Sequence, residues 1–161
     1  MEKAVISQYK ASLKMLIDVI NKCPQELWEN EAYKNQYWRI VYHSLFYTAL
    51  YLSESSEKFI PWAKHIATYN YLGTVTADGL PVVINHIYTK DEMIEYAMLL
   101  FNDCEKKVVI NGQKEGGFYW LPMSKVEIQL YNLRHLQHHI GQLTERLHHS
   151  GITGIRWESN G

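Results

Sequence analysis

LRHLQHHIGQLTER, residues 133–146, holds three of the eight histidines of this 161-residue chain. Read as an α-helix, it places His135 and His139 one turn apart on a common face, close enough to reach a single metal ion together. Ser124-Lys125-Val126-Glu127 upstream has the Ser-x-x-Glu form of a capping box and opens the helix, which continues to about Ser150, where Gly151 stops it. Val126, Leu130, Leu133, Ile140 and Leu147 make an apolar side; Asn132, His135, His139, Gln142 and Arg146 line up on another strip. Solvated helix faces usually carry Lys and Glu paired at i, i+4, whereas this strip is imidazole and amide. Gly141 sits mid-helix at a cost of about 1 kcal/mol relative to Ala, which implies close approach by a neighbouring element.

Three further helices follow from the same reading. Tyr9, Leu13, Leu16, Ile17 and Ile20 fall on one face of a first helix that Asn21 and Pro24 end. Pro24 to Asn30 reads as a helical turn or loop. Tyr37 to Ser53, YWRIVYHSLFYTALYLS, is apolar nearly all round, so the second long helix is expected to be buried on most sides, with His43 in its middle. Glu54 to Tyr88, broken by Pro61, Gly73, Gly79 and Pro81, reads as a long crossover with an Asp78-Gly79 turn. Thr89-Lys90-Asp91-Glu92 is a second capping box, opening a helix with Met93, Tyr96, Ala97, Leu100 and Cys104 inward and Asn111-Gly112 at its close. Gly116-Gly117 and Pro122 keep the next linker non-helical, and Trp157 in the tail is expected to pack back on the helices. The result is an all-α fold, a four-helix bundle with a long crossover between helices two and three, as one domain over residues 1–161.

Composition narrows the function classes. A net charge of −1 without a basic cluster leaves no footprint for a phosphate backbone, so no nucleic-acid partner is expected. No apolar run approaches the roughly 18 residues of a membrane span, and MEKAVISQYK lacks the apolar segment of a signal peptide, so the expected setting is the cytoplasm without a membrane partner. Cys23 and Cys104 form neither a disulfide framework nor a Cys-x-x-Cys motif and read as buried free thiols. Twelve tyrosines and five tryptophans supply flat side chains for inter-helix gaps and for an interface.

The chemistry lies with the histidines. A neutral imidazole offers a nitrogen lone pair near neutral pH, and three of them at about 2.0–2.1 Å leave open positions on a zinc-type ion, the pattern of a catalytic site. The third ring has to come from a facing helix, and His43 is the histidine lying inside another long predicted helix; a histidine in such apolar surroundings is costly unless its nitrogens are engaged. His65 and His86 could reach the site only as crossover residues. His138 lies about 100° around the helix from His139, which favours an inter-helix hydrogen bond or a rim position over ligation. His148 and His149 suit the helix C-terminus as cations. A di-iron carboxylate bundle would need Glu-x-x-His on two helices; Glu145 to His148 supplies it once, near a terminus, so that reading is rejected.

The mid-helix histidine of WRIVYHSLFYTALYLS together with RHLQHHIGQLTERL, in particular His-x-x-His-His-x-Gly-Gln, resembles the DinB family, which is related to the YfiT-type hydrolases and thiol transferases. The resemblance in helix order spans nearly the whole chain. It implies a metal triad on His43, His135 and His139, a divalent ion such as nickel or zinc, and a homodimer. It also implies, for some relatives, the transfer of low-molecular-weight thiols or the isomerisation of thiol adducts.

Two functions follow as expectations. In one, the metal activates water for hydrolysis, or a cofactor thiol for transfer to a small-molecule electrophile, and the absence of an obvious carboxylate base favours thiol transfer. Asn132, His138 and Gln142 would then orient a ligand or support the metal's imidazoles, and Tyr47, one turn beyond His43, would donate a hydrogen bond near the open position. In the other, the protein is a non-catalytic stress-linked bundle or interaction module with a structural metal or none.

Overall fold

Tyr9, Leu13, Leu16 and Ile20 are fully buried along α1 (Glu2–Lys22), as the spacing of the apolar residues requires, and Ile17 flanks them half-buried. The remaining helices of the computed structural model, which describes residues 1–108, 110 and 116–161, are α2 (Gln25–Trp28), α3 (Tyr37–Leu52), α4 (Lys90–Lys107) and α5 (Lys125–His149). Among the described residues there is no strand, and β-type pairing is confined to one Val75–Pro81 bridge around the Asp78-Gly79 turn. The Asn111-Gly112 stop lies outside the described residues. No described helix is long and apolar enough to cross a membrane.

Each of α1 and α3 packs against both α4 and α5, so the four long helices share one core. Met93, Tyr96, Ala97, Leu100 and Cys104 form the buried stripe of α4, and both capping boxes are made: the Thr89 and Ser124 hydroxyls accept from the Glu92 and Glu127 backbone N–H, and each Glu side chain returns to its cap. The short α2 turns the chain after Pro24 and buries Trp28, whose indole N–H donates to Tyr88 O at 2.9 Å. Cys23 and Cys104 are both buried free thiols, and burial pushes Cys23 up to about 12 and raises Cys104, which keeps them from acting as thiolates.

The inward face of α5 is more polar than its apolar side suggests. Gln129 and Asn132 are fully buried while Leu130 is 56% exposed. Their amides donate to carbonyls at the end of α3, Gln129 Nε2 to Tyr51 O at 3.0 Å and Asn132 Nδ2 to Thr48 O at 3.1 Å. Lys125 Nζ reaches the next carbonyls, Ser53 O at 2.7 Å and Glu54 O at 3.0 Å. A helix ends with four carbonyls that lack intrahelical donors, and a cation there also meets the negative end of the helix dipole. The start of α5 thus caps the end of α3 and fixes how the two helices lie side by side.

Two local expectations are corrected. A Cβ on Gly141 would meet nothing within 4 Å, so this glycine faces open space and no element approaches it. Trp157 is 80% exposed. The tail is tied to α1 through its main chain, Arg156 N–H to Asp18 Oδ2 at 3.0 Å and Gly161 N–H to Ser7 Oγ at 3.1 Å, so the indole is free to turn outward.

Candidate metal centre

Every residue of α3 is buried except His43 and Tyr47. An all-round apolar helix has one strip left that is neither core nor capped, and these two residues, one turn apart, form it. His135, on the facing α5, stands against both: its ring centroid is 5.1 Å from that of His43 and 5.6 Å from that of Tyr47. His139, one turn further along α5, completes the group at 4.7 Å from His43 and 4.6 Å from His135. One ligand atom from each of the three histidines lies within 4.8 Å of the others. The pairing of α3 with α5 set by the Gln129 and Asn132 amides brings the rings together.

The protons decide what the cluster can hold. His43 Nδ1 is 2.7 Å from Asn70 O; a carbonyl only accepts, so Nδ1 carries the proton and Nε2 presents a lone pair. His139 Nδ1 lies 3.1 Å from Gln142 Oε1, and with that amide oxygen facing the ring the proton sits on Nδ1. Both Nε2 atoms lie 3.1 Å from His135 Nε2. A neutral His135 has at most one proton to give two lone pairs at that position, and its buried Nδ1 has no hydrogen-bond partner among the described residues in either tautomer. Adding a second proton is opposed. Burial pushes His43 down to about 3 and His135 down to about 4, with neighbouring histidines adding to both effects, while the Asn70 carbonyl works against burial at His43. Burial lowers His139 too, with Gln142 opposing it. The rings are therefore neutral at pH 7, and no arrangement of protein protons serves all three Nε2 atoms.

A divalent cation held between the three rings would serve them. Two nitrogens bound at about 2.0–2.1 Å with a tetrahedral angle lie about 3.3 Å apart, close to the 3.1 Å separations here. The donor set, three neutral imidazoles, suits zinc or nickel and not calcium or magnesium. The residues fit such an ion.

Family models, curated proteins and solved structures return no match to the chain. What the site can do is read from its own geometry. The histidine cluster opens on a cavity of about 650 Å³ whose walls include His43 and His135, side chains of α3, the 53–89 connection, residues 119–120 and Tyr131 of α5. A separate cavity of about 580 Å³ between Leu52, Phe59 and Lys106 contains no histidine.

The other residues singled out in the sequence are placed as follows. Tyr47 lines the cavity, and its hydroxyl accepts from Asn70 Nδ2 at 3.4 Å. Gln142 is exposed but reaches His139. Asn132 is in the α3–α5 seam rather than the cavity, and His138 is exposed with its ring 5.1 Å from that of His139. His65 packs between Tyr42 and Phe46 with Tyr42 OH at 2.5 Å from its Nδ1, and exposed His86 lies 3.9 Å from Glu92. Arg146 is drawn away to Asn35 O and the Tyr33 ring.

Sequence reasoning misses Asn70, which orients His43 through its main chain and so has no side-chain signature. Thr68, two residues earlier, holds φ +71, the left-handed region, in a turn closed by Tyr71 N–H to Thr68 O at 3.0 Å. That conformation is strained for a β-branched residue, and the same turn presents the Asn70 carbonyl to His43. Tyr131, four residues before His135 and stacked on its ring, had a readable signal in that spacing.

Proposed function

We propose that the chain is a DinB-like four-helix bundle, with residues 53–89 as its crossover, that binds one divalent ion, zinc or nickel, on His43, His135 and His139. The protein is read as a metal-dependent enzyme acting on a small molecule, by thiol transfer in preference to hydrolysis. The observation that carries this reading is the pair of 3.1 Å contacts from His135 Nε2 to two Nε2 atoms whose own rings already donate elsewhere. When bound, the ion supplies Lewis acidity that lowers the pKa of a nucleophile at an open position.

The chain's own groups do the rest. Asn70 O and Gln142 Oε1 fix two tautomers and aim the rings, as acceptors behind metal-bound histidines do. Tyr47, beside His43 in the cavity wall, has a hydroxyl that can hold a polar atom of the substrate. Among the described residues no aspartate or glutamate lines the cavity, so none of them offers a carboxylate general base there, which supports thiol chemistry. Pairing of two copies belongs to the same reading, with the exposed Trp157 and Ile60 available for an interface.

Metal analysis of tag-free protein against the His139→Ala variant tests the proposal. Near-stoichiometric zinc or nickel in the wild type and its loss in the variant are expected. Equal metal content in the two would discard the site and leave the non-catalytic reading.

A further inference from the structure

The cavity over the metal centre has an unusual wall. Of its twelve described lining residues, seven are phenylalanine, tyrosine or tryptophan, and none is Asp, Glu, Lys or Arg. Phe46, Tyr47 and Tyr51 come from α3, Tyr71 from the connection, Trp120 from the loop before α5, and Tyr131 from α5, so aromatic faces approach from four separate parts of the chain. Arg134, which lies over the Tyr131 ring at 5.5 Å, is not one of the lining residues. Gly117 sets the loop: its φ of +82 and the crowding a Cβ would meet at Glu54 O and Ser55 admit no larger residue, and Ser56 N–H on Gly117 O at 3.1 Å ties the segment bearing Trp120 to the end of α3.

Tyrosine and tryptophan present a large flat surface with a polar tip, and such rings pack best against another ring, offset or edge-on. A cavity of this size takes a small organic molecule with room for one or two rings. Its described walls offer hydroxyls, the Asn70 amide and one indole N–H but no ion to pair a charge on the body of a ligand, and an unpaired charge taken out of water is expensive. Among the described residues, charge can be met only at the histidine end, where the proposed dication would sit. That end also disfavours a cationic ligand.

We propose that the cavity binds a planar aromatic molecule carrying one ionisable donor, a thiol or a phenol, with the ring between Tyr131, Trp120 and the α3 aromatics and the donor directed at His43 and His135. This rests on the metal reading above and narrows it: thiols bearing several charges, such as carboxylated peptides, fit poorly. Trp120 and Tyr131 set this selectivity without holding the metal.

Cobalt-loaded full-length protein, followed by the sulfur-to-cobalt charge-transfer absorption, is titrated with thiophenol and with 4-mercaptobenzoate, which differ by one carboxylate. The expected result is at least tenfold tighter binding of thiophenol. Trp120→Ala and Tyr131→Leu should each weaken thiophenol by threefold or more at unchanged cobalt content; Trp120 is partly exposed on a loop, so its variant folds even if Tyr131→Leu does not. Equal affinity for the two thiols, or thiophenol binding untouched by Trp120→Ala, overturns the proposal while leaving the metal site standing. Wild-type protein that takes up no cobalt overturns the metal reading and this inference together.

Discussion

The three histidines of the proposed metal site differ in what stands behind them, and the differences are measurable. Gln142 is the acceptor on His139 Nδ1. Gln142→Leu removes it, and because the position is exposed and water can partly substitute, zinc affinity is expected to fall about tenfold, the lower end for such partners; competition with a chromogenic chelator reads this, and unchanged affinity would show that the amide does nothing for the ring. His43 Nδ1 is held by a main-chain carbonyl instead, so substitution of the Asn70 side chain should leave it in place. In metal-free protein, His43 and His135 stay neutral in the folded chain down to about pH 3 and 4, whereas in the unfolded chain they take protons near 6.5. The unfolded state then binds more protons between those limits, so the stability these rings permit is fully present above pH 6.5 and is lost as the pH falls toward 4. The urea midpoint of metal-free protein should drop over that interval, and His43→Phe should flatten the slope; a midpoint independent of pH across it would contradict the buried neutral rings.

The helices carry their own tests. Gly141 lies in α5 with open space where a Cβ would go, so Gly141→Ala should raise stability by about 0.5–1 kcal/mol through helix propensity alone. A loss on urea denaturation would mean that some element does approach it. Ser124→Ala removes a made capping box and should cost about 1 kcal/mol. Elements whose signals are local were legible in the sequence. Capping boxes depend on residues three apart, and the α4 stripe on one helical period. The inward face of α5 was not, because Gln129 and Asn132 are buried for the sake of Tyr51 O and Thr48 O on another helix, a pairing that no periodicity encodes. Leu130 is correspondingly left outside.

Across the molecule, the site is a product of helix pairing. Two of its rings were visible in sequence as an i, i+4 pair, and the third because a histidine inside an all-round apolar helix needs a purpose. The cavity was hidden, since it draws on residues 70, 71, 77, 119 and 120, whose positions follow from tertiary hydrogen bonds such as Arg39 Nη2 to Gly73 O at 2.7 Å and Gly73 N–H to Asn35 Oδ1 at 2.8 Å. The proposed ion, bridging α3 and α5, would bind only the folded chain, so zinc at a hundredfold excess over its dissociation constant should add about 2.7 kcal/mol of stability, seen as a melting temperature that chelator lowers. X-ray absorption at the zinc edge of loaded, tag-free protein tests the coordination itself: three imidazole nitrogens at about 2.0–2.1 Å with no sulfur are expected, and a sulfur scatterer near about 2.3 Å or fewer than three imidazoles would contradict it.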